Sequence, residues 1–188
     1  TRTIQERGGN TVTGIIKKLR AFFNWCEKEG LLKKNPFIGF EKGEGEQYGT
    51  PIYLTKDELK QIYAADFSDS PSLEVQRDIF VFQCNIGCRV GDMMRLTKRD
   101  VINGSIEYIP NKTIKENAKT VVVPLNSMAK AILEKYKDLP GEQLLPFIAS
   151  QNYNYAIKDI VKKAGITRLV TTLDPLTRKE VKRPINEV

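Results

Sequence analysis

Histidine is absent from this chain of 188 residues, and its absence excludes several kinds of chemistry. The chain can form no His-based acid–base catalyst, no Ser-His-Asp or Cys-His nucleophile pair and no Cys/His zinc site. Cysteine is also scarce: Cys26, Cys84 and Cys88 are odd in number and wrongly spaced for a structural metal site. We therefore predict no metal site, and reduced thiols in a cytosol of the bacterial type.

Long apolar runs are missing as well, since no run approaches the ~18–20 residues of a membrane helix. Lys and Arg number 30 against 23 Asp and Glu, which gives a formal charge of +7 and a pI of about 9.2. Hydrophobic residues make up 40% and charged residues 28%, a balance that argues against disorder. At ~150 residues per domain, the length allows one domain or one plus part of another.

The N-terminal part of the sequence predicts one helix with a single apolar face. Gly30 falls where a C-terminal cap belongs, and Asn35-Pro36 ends the unit. The few residues before the helix cannot supply a bundle to cover that face. The helix therefore packs on the rest of the chain or, as we favour, is the last piece of a domain cut off upstream. The apolar face comprises Ile15, Ile16, Leu19, Phe22, Phe23 and Cys26.

The rest of the chain predicts an α+β domain that is mainly helical. Residues 39–51 are rich in glycine and indicate a linker, after which Thr55 and Glu58 form a capping box. Asn126 caps a later helix, and the tail from residue 170 is extended and basic, with a turn at Asp174-Pro175. Further helices are predicted over 72–85, 90–96 and 152–164, and strands over 105–109 and 120–123.

Residues 85–96 (NIGCRVGDMMRL) place an arginine directly after a glycine break, at the start of a short helix. Asp92 lies three residues after Arg89 and could hold its guanidinium by paired hydrogen bonds. The helix N-terminus adds free backbone N–H groups and the positive end of the helix dipole. The stretch is either an anion cradle suited to a phosphate or a structural Arg–Asp pair that caps a core helix.

Residues 109–119 (IPNKTIKENAK) join the two predicted strands and carry Lys112, Lys115 and Lys119. A lysine on a hairpin turn can contact a phosphate or donate a proton to a leaving oxygen. The alternative is a solvated turn without a chemical role.

Three stretches occur in an order that is informative: 19–37 (LRAFFNWC, then GLL and NPF), 87–96 (GCRVGD to Leu96) and 112–125 (KT to VPL). In that order they resemble the tyrosine recombinase family of phage and conjugative-transposon integrases, and in particular integrases of Bacteroides-type mobile elements. Residues 19–37 are similar to the end of the family's core-binding domain. Residues 87–96 resemble the box around the first catalytic arginine, G-x-R-x-x-E/D-x-x-x-L, and residues 112–125 resemble the catalytic β-hairpin.

The resemblance implies a division of the chain into three parts. Residues 1–38 would be the C-terminal part of the helical core-binding domain, which clamps DNA, and residues 39–51 the linker. Residues 52–188 would be the N-terminal part of the catalytic domain, with its small antiparallel β-hairpin sheet.

The resemblance also implies a reaction without metal or nucleotide cofactor. Family members cut a DNA strand with a tyrosine, form a 3′-phosphotyrosyl bond and exchange strands through a Holliday junction. Arg89 would bind the scissile phosphate, Asp92 would orient Arg89, and Lys112 would protonate the 5′-oxygen. Lys115 is the alternative lysine, because a slip in hairpin register would exchange the two.

The family's H-x-x-R box and nucleophilic tyrosine do not occur within this sequence. Residues 171–184 are similar to the segment that leads up to that box, and none of the seven tyrosines has the expected context. We expect a piece of an integrase, cut at both ends and unable to cleave DNA by itself. The first alternative is a non-catalytic DNA-binding or regulatory protein on the recombinase scaffold. The other alternative is a helical interaction module with a generic basic surface.

Duplex DNA at a recombination site is the expected partner, with other integrase protomers in a synaptic complex and no membrane. Residues 162–183 hold seven Lys and Arg against two Asp and Glu, which favours phosphate contacts. The alternative for each residue is a solvated face. The DNA-binding candidates are Lys17, Lys18, Arg20, Lys119, Lys162, Lys163, Arg168, Arg178, Lys179, Lys182 and Arg183.

Overall fold

The computed structural model describes residues 7–40, 45–114 and 118–188. Its helices are α1 (Gly9–Lys28), α2 (Lys56–Ala64), α3 (Pro71–Ile86), α4 (Val90–Met93), α5 (Ser127–Lys135) and α6 (Ser150–Lys163). Its strands are β1 (Val101–Ile102), β2 (Ser105–Tyr108), β3 (Val121–Pro124), β4 (Leu169–Leu173) and β5 (Glu180–Pro184). Single 3-10 turns cover Lys98–Asp100 and Ile185–Glu187. The predicted α+β class, mainly helical with small sheets, is confirmed.

The described residues form two compact units. The first contains the chain up to Ile52 together with Leu169–Arg183, and the second contains Tyr53–Arg168 and Pro184–Val188. The contacts therefore place residues 169–183 with the N-terminal helix, whereas the division predicted from the sequence groups them with residues 52–168.

In the first unit, the turn between β4 and β5 lies against the start of α1. The backbone N–H of Gly9 donates to the carbonyl of Pro175 at 3.1 Å, which satisfies one free donor of the first helical turn. The side chain of Asn10 accepts from and donates to the backbone of Gln47, at 2.9 and 2.6 Å. Gln47, in the predicted linker, therefore lies beside the first turn of α1.

The apolar face of α1 is only partly covered by the described residues. Cys26 is buried, and Phe23 lies 5.6 Å from Phe37 between ring centroids. In contrast, Ile15 and Phe22 on the same face are 49% and 53% exposed. The predicted helix is confirmed, but the described residues leave much of its apolar face open to solvent.

The second unit contains a three-stranded sheet in the order β1-β2-β3, with both pairs antiparallel. Ile106 on β2 is fully buried and pairs with Val123 on β3. Asn103 and Gly104 join β1 to β2, both at positive φ (49° and 76°), as a two-residue hairpin turn requires. β1 was not predicted, although Asn-Gly is a strong hairpin signal.

Helix α3 lies at the centre of the second unit and packs against α2, α5 and α6. Its residues Ile79, Val81 and Phe82 are buried, because α3 is enclosed on several sides and not on one. The predicted caps of its neighbours are present: Thr55 and Glu58 form the capping box of α2, and Asn126 caps α5.

A buried charge network fastens α3 to α5. Asp78 is 2% exposed and accepts hydrogen bonds from Arg77 Nε at 2.7 Å, Lys135 Nζ at 2.7 Å and the Tyr136 hydroxyl at 2.9 Å. Burial, followed by the hydrogen bond to Asp78, raises the pKa of Tyr136, so its hydroxyl stays protonated as a donor. The network thus joins α3 to α5 and the residue that follows α5.

Two predicted elements differ from the structure. The helix predicted over 90–96 ends at Met93, because Arg95 and Leu96 donate to the carbonyls three residues earlier and tighten the chain into a turn. The extended tail after residue 170 contains the paired strands β4 and β5, with Asp174 accepting hydrogen bonds from Leu176 and Thr177 in the connecting turn.

Candidate active site

Arg89 stands on a backbone that two local signals fix. Gly87 ends α3 in the left-handed conformation, at a φ of 68°. Arg89 then occupies the N-cap of α4, and its carbonyl accepts the N–H of Asp92 at 2.9 Å. The side chain is 61% exposed. The structure thus presents an accessible guanidinium at the N-cap of α4, as the sequence predicts.

Asp92 is the centre of the site, and its carboxylate is almost fully buried. Oδ1 accepts from Arg95 Nη2 at 2.6 Å and from the backbone N–H of Asn111 at 2.9 Å. Arg89 Nη1 lies 4.0 Å from Oδ2, a loose ion pair. The sequence predicts Arg89 as the partner of Asp92, whereas in the structure Arg95 is the closer partner. The signal was present, since Arg95 follows Asp92 at the same three-residue spacing.

The electrostatic balance around Asp92 keeps its carboxyl ionised. Burial alone raises the pKa of Asp92, but the hydrogen bonds from Asn111 and Arg95 and the charges of Arg95 and Arg89 outweigh burial. The net result is a pKa below the usual range. Asp92 is therefore a permanent anion between two guanidinium groups at neutral pH.

The bond from Asn111 brings the predicted catalytic hairpin to α4. Lys112 follows Asn111 directly, so the two predicted cations, Arg89 and Lys112, lie on segments joined by one carboxylate. Lys112 is exposed in a turn in which the N–H of Thr113 donates to the carbonyl of Pro110 at 3.1 Å. Lys115 lies outside the described residues.

Tyr108 and Cys88 complete the surroundings of Arg89. Burial, followed by the charges of Cys88 and Asp92, raises the pKa of Tyr108, whereas Arg89 lowers it. Burial raises the pKa of the Cys88 thiol to about 11. Both groups are therefore neutral near pH 7, and Asp92 supplies the negative charge in this cluster. The arrangement suits a dianionic or monoanionic phosphate ester.

Several of the predicted DNA-binding cations are engaged in contacts within their own unit. In the second unit, Arg168 binds Glu58 through Nε at 2.6 Å and the carbonyl of Tyr53 through Nη2 at 2.7 Å. Lys163 pairs with Asp69 and lies over the ring of Phe67. These contacts reduce the charge that Arg168 and Lys163 offer to DNA.

In the first unit too, several predicted DNA-binding cations contact other residues of the unit. Lys17 pairs with Glu46 at 2.9 Å, and Arg183 lies 3.6 Å from Asp174. Arg20 lies over the ring of Phe37, and Arg178 lies against Gly9, where any side chain would collide with its guanidinium. Across both units, five predicted cations are exposed and form no ion pair with another described residue: Lys18, Lys119, Lys162, Lys179 and Lys182.

Among the described residues, no group of three or more His, Cys, Asp or Glu side chains is placed to hold a metal ion. None of the helices in ranges 7–40, 45–114 and 118–188 has the length and hydropathy of a membrane span.

The fold is similar to that of lambda integrase. The structure aligns with lambda integrase (residues 75–356) bound to DNA at a TM-score of 0.61 and 22% identity, over 83% of this chain and 57% of that chain. It also aligns with a lambda integrase tetramer bound to a Holliday junction, at a TM-score of 0.59 and 21% identity, over 81% and 45% of the two chains.

Sequence relatives agree with the fold. A tyrosine recombinase of Thermosipho africanus is 26% identical over 84% of this chain and 56% of its own length. Tyrosine recombinase XerC of Halalkalibacterium halodurans is 28% identical over 75% of this chain and 45% of its own length. No family profile matches the chain. The relatives and the shared fold support the tyrosine recombinase family, as the motif order predicts, and the chain spans about half the length of the curated relatives it matches.

Proposed function

We propose that this chain is part of a site-specific DNA recombinase and binds the scissile phosphate through Arg89. The observation that carries the proposal is the position of Asp92. One buried carboxylate lies beside the accessible guanidinium of Arg89 and accepts a hydrogen bond from the residue before Lys112. The segments that carry Arg89 and Lys112 are thereby joined through one carboxylate, which supports a shared role in binding a phosphate.

The division of labour follows from the chemistry of the two side chains. A guanidinium is planar and always charged, so Arg89 suits the non-bridging oxygens on which charge accumulates in phosphoryl transfer. An ammonium group can give up a proton, so Lys112 suits the 5′-oxygen that leaves. In the complete reaction a tyrosine hydroxyl loses its proton to water and its oxygen bonds to phosphorus. The bond from phosphorus to the 5′-oxygen breaks, and the 5′-oxygen takes a proton from Lys112.

Asp92 acts on both cations in this proposal. Its negative charge offsets the repulsion between Arg89 and Arg95, and its hydrogen bond to Asn111 holds the base of the Lys112 turn. Lys115 remains the alternative proton donor. No metal or nucleotide is assigned a role in these steps.

We further propose that residues 1–188 bind duplex DNA without cutting it. The chain contains no histidine, so it does not supply the H-x-x-R box, and the cleaving tyrosine has no candidate within it. Residues 1–38 are proposed as the end of the core-binding domain, and residues 52–188 as part of the catalytic domain. The setting proposed is the cytoplasm of a bacterium that carries a Bacteroides-type mobile element, where other integrase protomers complete the synaptic complex.

Within each unit taken separately, we assign general DNA contact to the exposed cations that form no ion pair with a described residue. Exposed lysines that keep their full charge contribute most to phosphate binding, because each releases counterions from the duplex. The assigned lysines are Lys18, Lys119, Lys162, Lys179 and Lys182.

The test measures the affinity of the 188-residue chain for a fluorescent duplex between ~50 and ~200 mM salt. We expect affinity to fall steeply with salt. Arg89→Ala is expected to weaken binding about tenfold at low salt, as loss of a charged hydrogen-bonded contact predicts. The matched control is Arg99→Ala, because Arg99 is also an exposed arginine of the second unit but pairs with Glu142. It is expected to leave affinity within about twofold.

Two results would contradict the proposal. Unchanged affinity in the variant that combines Arg89→Ala with Lys112→Ala would favour an interaction module with a generic basic surface. A covalent adduct between the 188-residue chain and a nicked recombination substrate would refute the claim that it cannot cleave DNA by itself.

A further inference from the structure

The side chain and the backbone of Gln83 both bind the loop in front of Arg89. Gln83 lies in the last turn of α3, and its carbonyl accepts the N–H of Gly87 at 2.8 Å. Its side-chain Nε2 donates to the carbonyl of Cys88 at 3.1 Å. The Cys88 carbonyl and the Arg89 nitrogen belong to one planar peptide group. The Gln83 side chain therefore fixes the orientation of the peptide from which Arg89 begins.

Tyr153 fixes Gln83 in turn. Tyr153 lies on α6 and is 1% exposed, and its hydroxyl donates to Gln83 Oε1 at 2.8 Å. Burial raises the pKa of Tyr153, so the hydroxyl keeps its proton and remains a donor. With a donor on one side and the Cys88 carbonyl on the other, only one orientation of the Gln83 amide satisfies both bonds.

Among the described residues, little holds the side chain of Arg89. Its nearest charged partner is Asp92 at 4.0 Å, and most of the guanidinium side chain is exposed. The direction in which it points is therefore set mainly by the backbone. A small rotation of the peptide before Arg89 moves the end of this long side chain by a larger distance.

We propose that Gln83 and Tyr153 are positioning residues that hold the Arg89 backbone in the orientation that binds a DNA phosphate. The inference rests on the proposed function of Arg89. A loop fixed in advance loses less conformational freedom when the phosphate binds, so the pair raises affinity without touching DNA. It also connects the buried face of α6 to the active site through two side chains and one carbonyl.

The experiment is a double-mutant cycle on the affinity of the 188-residue chain for duplex DNA at low salt. Tyr153→Phe removes only the hydroxyl oxygen, and Gln83→Met removes both hydrogen bonds while keeping a similar length. Each change is made in the wild-type chain and in Arg89→Ala. Tyr155→Phe is the matched control, because it makes the same chemical change on the same helix at an exposed position. Thermal unfolding checks that every variant is folded at the assay temperature.

We expect Tyr153→Phe to weaken binding about threefold and Gln83→Met about fivefold in the wild-type background. Neither change should weaken binding further in Arg89→Ala, because the pair acts through Arg89. Tyr155→Phe should leave affinity unchanged. A role confined to stability would lower the unfolding temperature without this dependence on Arg89.

Other outcomes would contradict either the positioning role of Gln83 and Tyr153 or the proposed function of Arg89. Equal weakening by Tyr153→Phe in both backgrounds, or none in either while Arg89→Ala weakens binding, would overturn the positioning role and leave the function of Arg89 intact. An unchanged affinity in Arg89→Ala would instead refute the proposed function. If Gln83→Met lowers the folded fraction, the test of the positioning role depends on Tyr153→Phe, because it is the milder change.

Discussion

The loop that carries Arg89 and the turn that carries Lys112 lie side by side but are supported differently. The Arg89 loop is bonded on both sides, by Gln83 to the Cys88 carbonyl and by the first turn of α4. The Lys112 turn is held at its base, by the bond from Asn111 to Asp92, and beyond that by contacts within the turn itself.

The difference matches what each cation has to do in the proposed reaction. A guanidinium that binds two phosphate oxygens needs a fixed direction, because its donors lie in one plane. A lysine that delivers a proton needs to reach an oxygen whose position changes as the bond breaks. Asp92 belongs to both supports, so changes at Asp92 should have the largest consequences, and changes at Lys112 the smallest, for the stability of the fold.

Asp92→Ala should reduce the free energy of unfolding by about 2–4 kcal/mol, because it leaves the Asn111 N–H and Arg95 without their buried partner. Urea denaturation measures the loss. Asp159→Ala is the matched control, an exposed aspartate on α6 whose removal should change the free energy by less than about 0.5 kcal/mol. Equal effects of the two substitutions would show that Asp92 does not support the site.

The pH dependence of stability tests whether Asp92 stabilises the fold as an ionised carboxylate. The pKa of Asp92 and that of Glu58 lie below their usual values, Glu58 mainly because Arg168 donates to it. Their contributions are therefore present above the unfolded pKa values of about 4 and are lost as pH falls through the folded values. Urea titrations from neutral to acid pH should show a smaller loss of stability in Asp92→Asn than in the wild type. A parallel loss in both would contradict the role of the ionised carboxylate.

Cations that form ion pairs should affect stability, whereas cations without ion pairs to described residues should affect DNA affinity. Arg168→Ala should lower the free energy of unfolding and leave DNA affinity nearly unchanged, because Arg168 is engaged with Glu58 and Tyr53. Lys162→Ala should do the reverse, with stability within about 0.5 kcal/mol and affinity about twofold weaker. The opposite pattern would mean that ion pairing does not predict which cations contact DNA.

Lys112→Ala should have the smallest effect on the fold, less than about 0.5 kcal/mol, because Lys112 is exposed. Its affinity for duplex DNA should fall about threefold, and Lys112→Arg should restore it because the charge returns. Full affinity in Lys112→Ala would transfer the proposed role to Lys115 or elsewhere.

Local chemistry explains why part of the architecture could be predicted. The capping box of Thr55 and Glu58, the N-cap at Asn126 and the break at Gly87 depend on neighbouring residues alone, and all are present. The position of Arg89 at the start of α4 follows from Gly87 in the same way. The fold resemblance rested on a different observation, the order of the stretches 19–37, 87–96 and 112–125, and the alignment with lambda integrase agrees with it.

What was missed depends on contacts between distant parts of the chain. The close pairing of Asp92 with Arg95 and with the backbone of Asn111 requires the early end of α4 and the place of the hairpin beside it. The pairing of Tyr153 with Gln83 joins residues on two separate helices. The predicted tail was extended, but its pairing as β4 and β5 and its grouping with α1 are tertiary features.

The most direct test of the central claim is the salt dependence of DNA affinity in the wild type and in Arg89→Ala. The slope of log Kd against log salt counts the phosphates that the protein neutralises. If Arg89 binds a phosphate, Arg89→Ala should weaken affinity and reduce the magnitude of the slope by about one. An unchanged slope, at any affinity, would show that Arg89 does not contact the DNA backbone and would contradict the proposed active site.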